Sequence, residues 1–236
     1  MKARIVTGRH SVIEALKIRP HAIKEIFVDD RFESKKWSNE IMSVVKKNKI
    51  QIIKRKDSFF EKLCQISQGV ACEVFENPEW PDENQEKLFL LALDGLEDPQ
   101  NFGAIIRTAW LMGVDGILTP TKESVGLTPT VAKAASGGTE HVPIMSVKNL
   151  KNEIEELKKQ GFWSYALAVD KNSESLKTVR RSQKTILIAG AEEKGIRPSL
   201  MNSSDFKVYI PQTDPEASFN VSVSVAVGVW SLMEEN

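Results

Sequence analysis

The segment Leu88-Phe89-Leu90-Leu91-Ala92-Leu93-Asp94 is apolar at six consecutive positions and closes on a carboxylate. A strand with one wet face alternates apolar and polar residues, so an unbroken run of this length fits a strand covered on both faces. The turn-rich Gly95-Leu96-Glu97-Asp98-Pro99 follows, and a helix is predicted from near Gly103 through Met112. The alternation continues with a strand over Gly116–Leu118, helices over Thr128–Ser136 and Asn149–Lys159, and strands over Phe162–Val169, Thr185–Ala189 and Phe206–Ile210. Strands alternating with helices specify an α/β fold with a parallel sheet.

The first third reads as a smaller α/β unit. Ser11 is a candidate N-cap for a helix that Pro20 stops, and Lys24–Val28 reads as a strand. An amphipathic helix over Trp37–Lys49, a strand over Ile50–Ile53, a helix capped by Asp57 and a strand over Gly69–Val74 complete it. Glu76–Glu86 is acidic, aperiodic and holds Pro78 and Pro81, the composition of a linker. The predicted organisation is a unit over 1–75, a linker over 76–87 and a second unit over 88–236.

Net charge is zero, but residues 1–72 carry 16 Lys/Arg against 8 Asp/Glu, so the remainder carries the opposite excess. A basic third, with the cluster Lys54-Arg55-Lys56, points to a polyanionic partner. No apolar run approaches the roughly 18 residues that span a bilayer, and the first eight residues lack the long apolar stretch of a secretion signal. Cys64 and Cys72 form neither a disulfide framework nor a zinc spacing, the usage of a reducing cytoplasm. Three His residues and no metal-ligand spacing argue against a metal site, and the usual glycine-rich dinucleotide and P-loop signatures are absent. Val221–Val229 alternates strictly and is β-branched, a strand by pattern alone.

Three stretches combine a strand end with small and polar residues. Asp94–Gly103 leads into a helix, with Asn101 a possible cap and Arg107 set among Ile105, Ile106, Ala109 and Trp110, where a guanidinium is expected to find an anionic or carbonyl partner. Ile186–Ile196 runs into Gly190, Glu192 and Gly195. Val208–Asn220 exits through Ile210-Pro211 to Ser218-Phe219-Asn220, where Ser218 is a possible helix cap. Ligands bind at the carboxyl ends of such strands.

In order and spacing these stretches resemble the three motifs of the SpoU (TrmH-type) branch of the SPOUT methyltransferases. Asn101, Gly103 and Arg107 match the first, Gly190 through Ile196 the second, and Ile210-Pro211 with Ser218-Phe219-Asn220-Val221 the third. Leu127–His141 is also similar to family members. Gly8-Arg9-His10 and Gln68-Gly69-Val70-Ala71 look like the small ribosomal-protein-like RNA-binding domain of the ribosomal RNA guanosine methyltransferases.

The resemblance implies a C-terminal trefoil-knotted methyltransferase domain, a rare exception to unthreaded topology, and a helix rather than a strand from Val221 onward. It implies a cytoplasmic enzyme, usually a homodimer with its site near the subunit interface, that transfers methyl from S-adenosylmethionine to a ribose 2′-hydroxyl. A guanosine of large-subunit ribosomal RNA is favoured by the basic N-terminal extension; transfer RNA, or an inactive RNA-binding assembly factor, are the alternatives. The catalytic groups map to Asn101, Arg107, Glu192, Ser218 and Asn220, the cofactor contacts to Gly190, Ile210 and Phe219, and RNA contacts to Arg9, His10, Lys54, Arg55 and Lys56. A guanidinium is essentially never deprotonated, so Arg107 is expected to orient and stabilise charge rather than act as a base. Gln212, Asp214 and Phe219 stand where the family has Met, Gly and Leu.

Overall fold

The computed structural model describes residues 3–64, 67–170, 172–192, 194–214 and 217–233. In chain order, β1 (Arg4–Thr7), α1 (Arg9–Ile18), β2 (Ile23–Val28), α2 (Ser38–Asn48), β3 (Gln51–Lys54), α3 (Asp57–Leu63) and β4 (Val70–Val74) form the N-terminal unit. Its sheet has the order β1-β4-β2-β3, antiparallel except for the β2/β3 pair. Helix α1 starts earlier than the sequence predicts. Gly8, at φ +91°, precedes it, and Ser11 is buried inside it, where its hydroxyl donates to the Ala132 carbonyl at 2.8 Å instead of capping. Asp57 likewise is the first residue of α3, with no side-chain cap.

The larger unit comprises β5 (Leu88–Asp94), α4 (Pro99–Met112), β6 (Gly116–Pro120), α5 (Pro129–Ala134), β7 (Ile144–Val147), α6 (Leu150–Lys159), β8 (Trp163–Leu167) and β9 (Glu174–Ser175). β10 (Lys184–Gly190), α7 (Pro198–Met201), β11 (Phe206–Tyr209) and α8 (Val221–Met233) complete it. Among the described residues its sheet is seven-stranded, in the order β7-β6-β5-β10-β8-β11-β9, and every pair is parallel. Every residue of β5 is buried, as its unbroken apolar run requires. Core clusters lie on both faces of the sheet: Leu91, Leu93 and Leu187 meet α4 and α8 on one side, while Leu90, Ala92 and Ile188 meet α6 and α7 on the other.

The segment Val221–Met233 is helical, against its alternating pattern. Val221, Val225, Val229 and Leu232 are buried along one stripe, the spacing of a helix face. Val223 and Val227 fall on the opposite side and are exposed. Gly228 lets the helix approach the sheet, since a Cβ there would lie 2.7 Å from a methyl of Leu187.

The two units are docked through buried charge. Glu140, fully buried, accepts both terminal nitrogens of Arg4 at 2.7 Å, Arg19 at 2.8 Å and the Thr139 hydroxyl at 2.9 Å. His141 stacks on Trp110 with ring centres 4.1 Å apart, and its Nε2 lies 3.1 Å from Glu14 of the N-terminal unit. The proline-bearing connection does not hang free: Trp80 packs over Gly116, and Lys184 Nζ donates to the Glu83 carbonyl at 2.8 Å.

Candidate active site

Three chain segments converge at the carboxyl ends of β5, β8 and β10. The first is the loop from Asp94 into α4. Asp98 caps that helix by accepting the Gln100 N–H at 2.9 Å, so Asn101 is not the cap; it sits in the first turn, nine-tenths buried, with its amide free to face the neighbouring loops. Gly103 explains why the turn can lie there, because a Cβ would stand 2.3 Å from that of Ala134 in α5.

The second segment is the loop after β10. Ala191 N–H donates to the Asp94 carbonyl at 3.1 Å, and the Asp94 carboxylate accepts the Arg197 N–H at 2.8 Å and pairs with its guanidinium. Bonding to Asp94 raises the Arg197 pKa further above its ordinary value. The loop returns so closely that a Cβ on Gly190 would lie 2.1 Å from the Gly195 carbonyl carbon. Glycine is therefore obligatory at 190 for steric reasons rather than for its φ. Asp94 was read from sequence only as the carboxylate that closes the strand, not as a site residue, and Arg197 was not singled out.

The third segment leads into α8. Asn220 Oδ1 accepts the Ser222 N–H at 2.9 Å and its hydroxyl, so Asn220 and not Ser218 holds the start of this helix. Its amide donates to Glu192 Oε1 at 2.6 Å and reaches Asn101 Oδ1 at 3.0 Å. Asn101 Nδ2 donates to the same Glu192 oxygen at 3.0 Å. Residues far apart in sequence thus form a closed triangle. Since the amides donate, Glu192 presents the negative charge at its centre and retains an oxygen for a further donor.

This triangle borders a cavity of about 550 Å³. Gly190, Glu192, Ser218, Phe219 and Asn220 line it, together with the apolar Leu167, Ile196 and Met201. Ser218 is exposed at the wall and makes no hydrogen bond among the described residues. Ile210 does not reach the cavity; it packs against the core beneath it. Gln212 spans its own loop, donating to the carbonyls of Asp214 at 2.7 Å and Ala217 at 2.6 Å; Pro215 lies outside the described residues.

Arg107 departs from expectation. It is solvent-exposed on α4, away from the cavity, with no ion pair or hydrogen bond among the described residues. The reason is helical geometry. The buried stripe of α4 takes Ile105, Ile106 and Ala109, while Arg107 shares the outer side with Leu111, one turn on and 66% exposed.

The basic candidates lie on the N-terminal unit. The Arg9 guanidinium is 6.0 Å from the Trp37 ring centre, and that of Arg55 stands 5.5 Å and 5.7 Å from the rings of Phe27 and Phe59. Lys54 pairs with Glu33 at 3.4 Å in the open, while His10 and Lys56 are surface residues.

A family model described as the SpoU rRNA Methylase family matches residues 88–230, and one described as RNA 2'-O ribose methyltransferase substrate binding matches residues 5–80. A TrmH family tRNA/rRNA methyltransferase of Staphylococcus saprophyticus is 34% identical over 244 residues, covering 100% of this chain and 97% of the relative. In fold, the chain is similar to the SpoU methyltransferase AviRb from Streptomyces viridochromogenes, solved in complex with AdoMet, with a TM-score of 0.79 at 18% identity over 97% of this chain and 88% of that one. It is also similar to the AdoMet-bound rRNA methyltransferase from Sinorhizobium meliloti, with a TM-score of 0.75 at 18% identity over 98% and 86%. With both of its units matched, the chain belongs to the SpoU (TrmH-type) family of RNA methyltransferases.

Proposed function

We propose that the protein transfers a methyl group from S-adenosylmethionine to the 2′-hydroxyl of a guanosine in large-subunit ribosomal RNA. The observation that carries this reading is the Asn101–Glu192–Asn220 triangle on the wall of the cavity at the strand ends. The cavity fits the cofactor: about 550 Å³ is within the range for small-molecule sites, and Gly190 lets backbone replace side chain at its wall. Gly190, Phe219, Leu167 and Met201 would hold S-adenosylmethionine, which supplies an electrophilic methyl on a sulfonium when bound.

The chain's own groups then act on the ribose. An unassisted hydroxyl is a poor nucleophile until its proton is shared. Glu192, held by two amides, offers an acceptor at the cavity wall, and Ser218 beside it offers a hydroxyl to position the sugar. Arg107 supplies positive charge for the developing alkoxide. It does so in our reading from a second copy of the chain, because it faces away from its own cavity.

That second copy fits the outer side of α4 and α8. Leu111, Val223, Val227 and Trp230 are exposed there at 66%, 46%, 37% and 61%, an apolar set bordering the site through Asn220. Apolar side chains contiguous on a surface mark an interface. The unit over 1–75 is read as the RNA-binding domain and 88–236 as the catalytic domain, joined by 76–87 and carrying the family's trefoil knot in a cytoplasmic homodimer. Ribosomal rather than transfer RNA is supported by the basic N-terminal unit and by the S. meliloti rRNA enzyme, which this chain matches across both units. Mapping ribose methylation with and without the gene tests the substrate: loss of one ribosomal 2′-O-methyl supports it, and a change confined to transfer RNA overturns it.

A further inference from the structure

The N-terminal unit holds a second cavity, of about 620 Å³, between the loop after β2, the start of α3 and the turn before β4. Its wall includes the half-buried indole of Trp37, fixed edge-on by the buried ring of Phe32 at 5.7 Å and flanked by the ammonium of Lys35 at 5.4 Å and the guanidinium of Arg9 at 6.0 Å. The floor is built rather than accidental. Lys35 Nζ donates to both oxygens of the buried Asp29, at 2.9 and 2.8 Å, and to the Gln68 carbonyl at 2.6 Å, which uses all three of its protons. A Cβ on Gly69 would lie 2.0 Å from Asp29, so this arrangement needs glycine there.

Gln68 is held at φ +61°, where a residue with a side chain is disfavoured. Its Oε1 accepts the Arg9 N–H and Lys133 Nζ, both at 2.9 Å. Lys133 belongs to α5, which packs against Gly103 at the start of α4. The strained turn therefore sets the cavity's edge against the catalytic unit, two elements from Asn101. At its other end the cavity is lined by Asp57, the residue after Lys54-Arg55-Lys56.

The charge pattern selects the occupant. Arg31 and Lys35 line the cavity, but so do Asp29, Asp57 and Glu61, so its interior disfavours a phosphate. Outside it, Arg9 lies against Trp37 and Lys133 on Gln68, and Lys54-Arg55-Lys56 directly precede Asp57. An uncharged aromatic group with polar edges fits the interior, and the phosphates on either side of it fit the rims. Unpaired bases splayed onto aromatic or guanidinium planes are the usual way a protein reads single-stranded RNA.

We propose that this cavity is a subsite for one unpaired nucleobase of the RNA substrate, stacked against Trp37, with its flanking phosphates on Arg9 and Lys133 at one rim and on Lys54-Arg55-Lys56 at the other. The proposal rests on the reading of the chain as an RNA methyltransferase, and it adds that the substrate is single-stranded at a point removed from the methylated ribose.

The test uses the full chain and a short single-stranded RNA of mixed sequence carrying 4-thiouridine, with a blunt duplex of the same sequence as competitor. Irradiation of the wild-type complex should place a crosslink on Trp37 or its neighbours in 29–37 and 67–69, the duplex should compete at least about tenfold less well, and Trp37→Leu should weaken single-strand binding about tenfold or more. Crosslinks confined to other segments, or equal competition by the duplex, overturn the proposal. So does unchanged binding by a Trp37→Leu protein with a normal melting temperature. The wild-type crosslink decides the matter should Trp37→Leu fail to fold. Methyl transfer by the wild-type protein is scored separately, on ribosomal RNA from cells lacking the gene: crosslinking at Trp37 without any transfer there would defeat the enzymatic reading and leave the subsite standing.

Discussion

Asn220 donates to Glu192 at 2.6 Å, joining the residue that opens the last helix to the loop after the central strand β10. The same amide carries two duties, because Asn220 Oδ1 also holds the Ser222 N–H. Asn220→Ala should therefore lower methyl transfer about a hundredfold and lower stability by about 1 kcal/mol through the lost cap. Rate measurement beside chemical denaturation checks both; a loss of stability with normal turnover would contradict the assignment.

Arg107 lies outside the cavity of its own chain, so its removal should separate chemistry from cofactor binding. We expect Arg107→Ala to lose turnover about a thousandfold while S-adenosylmethionine affinity, measured by calorimetry, stays within about twofold. Trp230→Glu, which places a charge on the exposed face of α8, should give monomers in sedimentation and reduce turnover with them. A monomeric wild-type protein with full activity would remove the role given to the second copy.

Glu140 is the buried anion between the two units, and it has two guanidinium partners. Glu140→Ala strands both cations in a nearly dry interface, for which a loss of about 3–5 kcal/mol is expected. Urea denaturation measures it, and a change below about 1 kcal/mol would show that the docking rests on apolar contact instead.

Acid should weaken the fold through two carboxylates. Burial works to raise the pKa of Asp205, but bonds from Lys158 and Ser164 outweigh it and hold the group below its ordinary value. At Glu14 burial likewise works to raise the pKa, and bonds from His141 and Lys17 outweigh it and hold the group below its ordinary value. A lowered folded pKa stabilises above the unfolded value and is lost as pH falls through the folded one. The melting temperature should thus hold from about pH 7 to pH 5 and fall below about pH 4, with a shallower fall in Asp205→Asn. An equal acid slope in that variant would assign the effect elsewhere.

Gly190→Ala places a methyl group inside the Gly195–Ile196 backbone. We expect a destabilisation of about 3 kcal/mol or more together with loss of S-adenosylmethionine binding, both visible in thermal melts with and without the cofactor.

The parts of the fold that were legible in the sequence are those in which one local pattern admits one environment. The unbroken apolar run of β5, closed by a turn-rich segment, fits a strand covered on both faces, and its boundaries coincide with those observed. Val221–Met233 was misleading because valine at every second position gives strand-like alternation and also places Val221, Val225 and Val229 on one helical face. Packing against β10 decides between them, and that contact is not local; the family resemblance supplied the helix. Asn101, Glu192 and Asn220 were legible only by resemblance, since hydrogen bonds across 91 and 119 residues leave no periodic trace. The strands β1, β7 and the two-residue β9 were missed, although β3 and β11, no longer than β1 and β7, were expected; length alone does not separate them. Arg107 illustrates the opposite error: its apolar sequence neighbours point inward on α4 while it points out, so neighbours along the chain were not neighbours in space.

The most direct measurement is the transfer of labelled methyl from S-adenosylmethionine to ribosomal RNA from cells lacking the gene, with the product mapped by resistance to alkaline cleavage. The account predicts a single ribose 2′-O-methyl on a guanosine of the large-subunit RNA, formed by the wild-type protein and absent with Asn220→Ala or Arg107→Ala. Label on a base, or no label on any RNA despite a folded protein that binds S-adenosylmethionine, would contradict it.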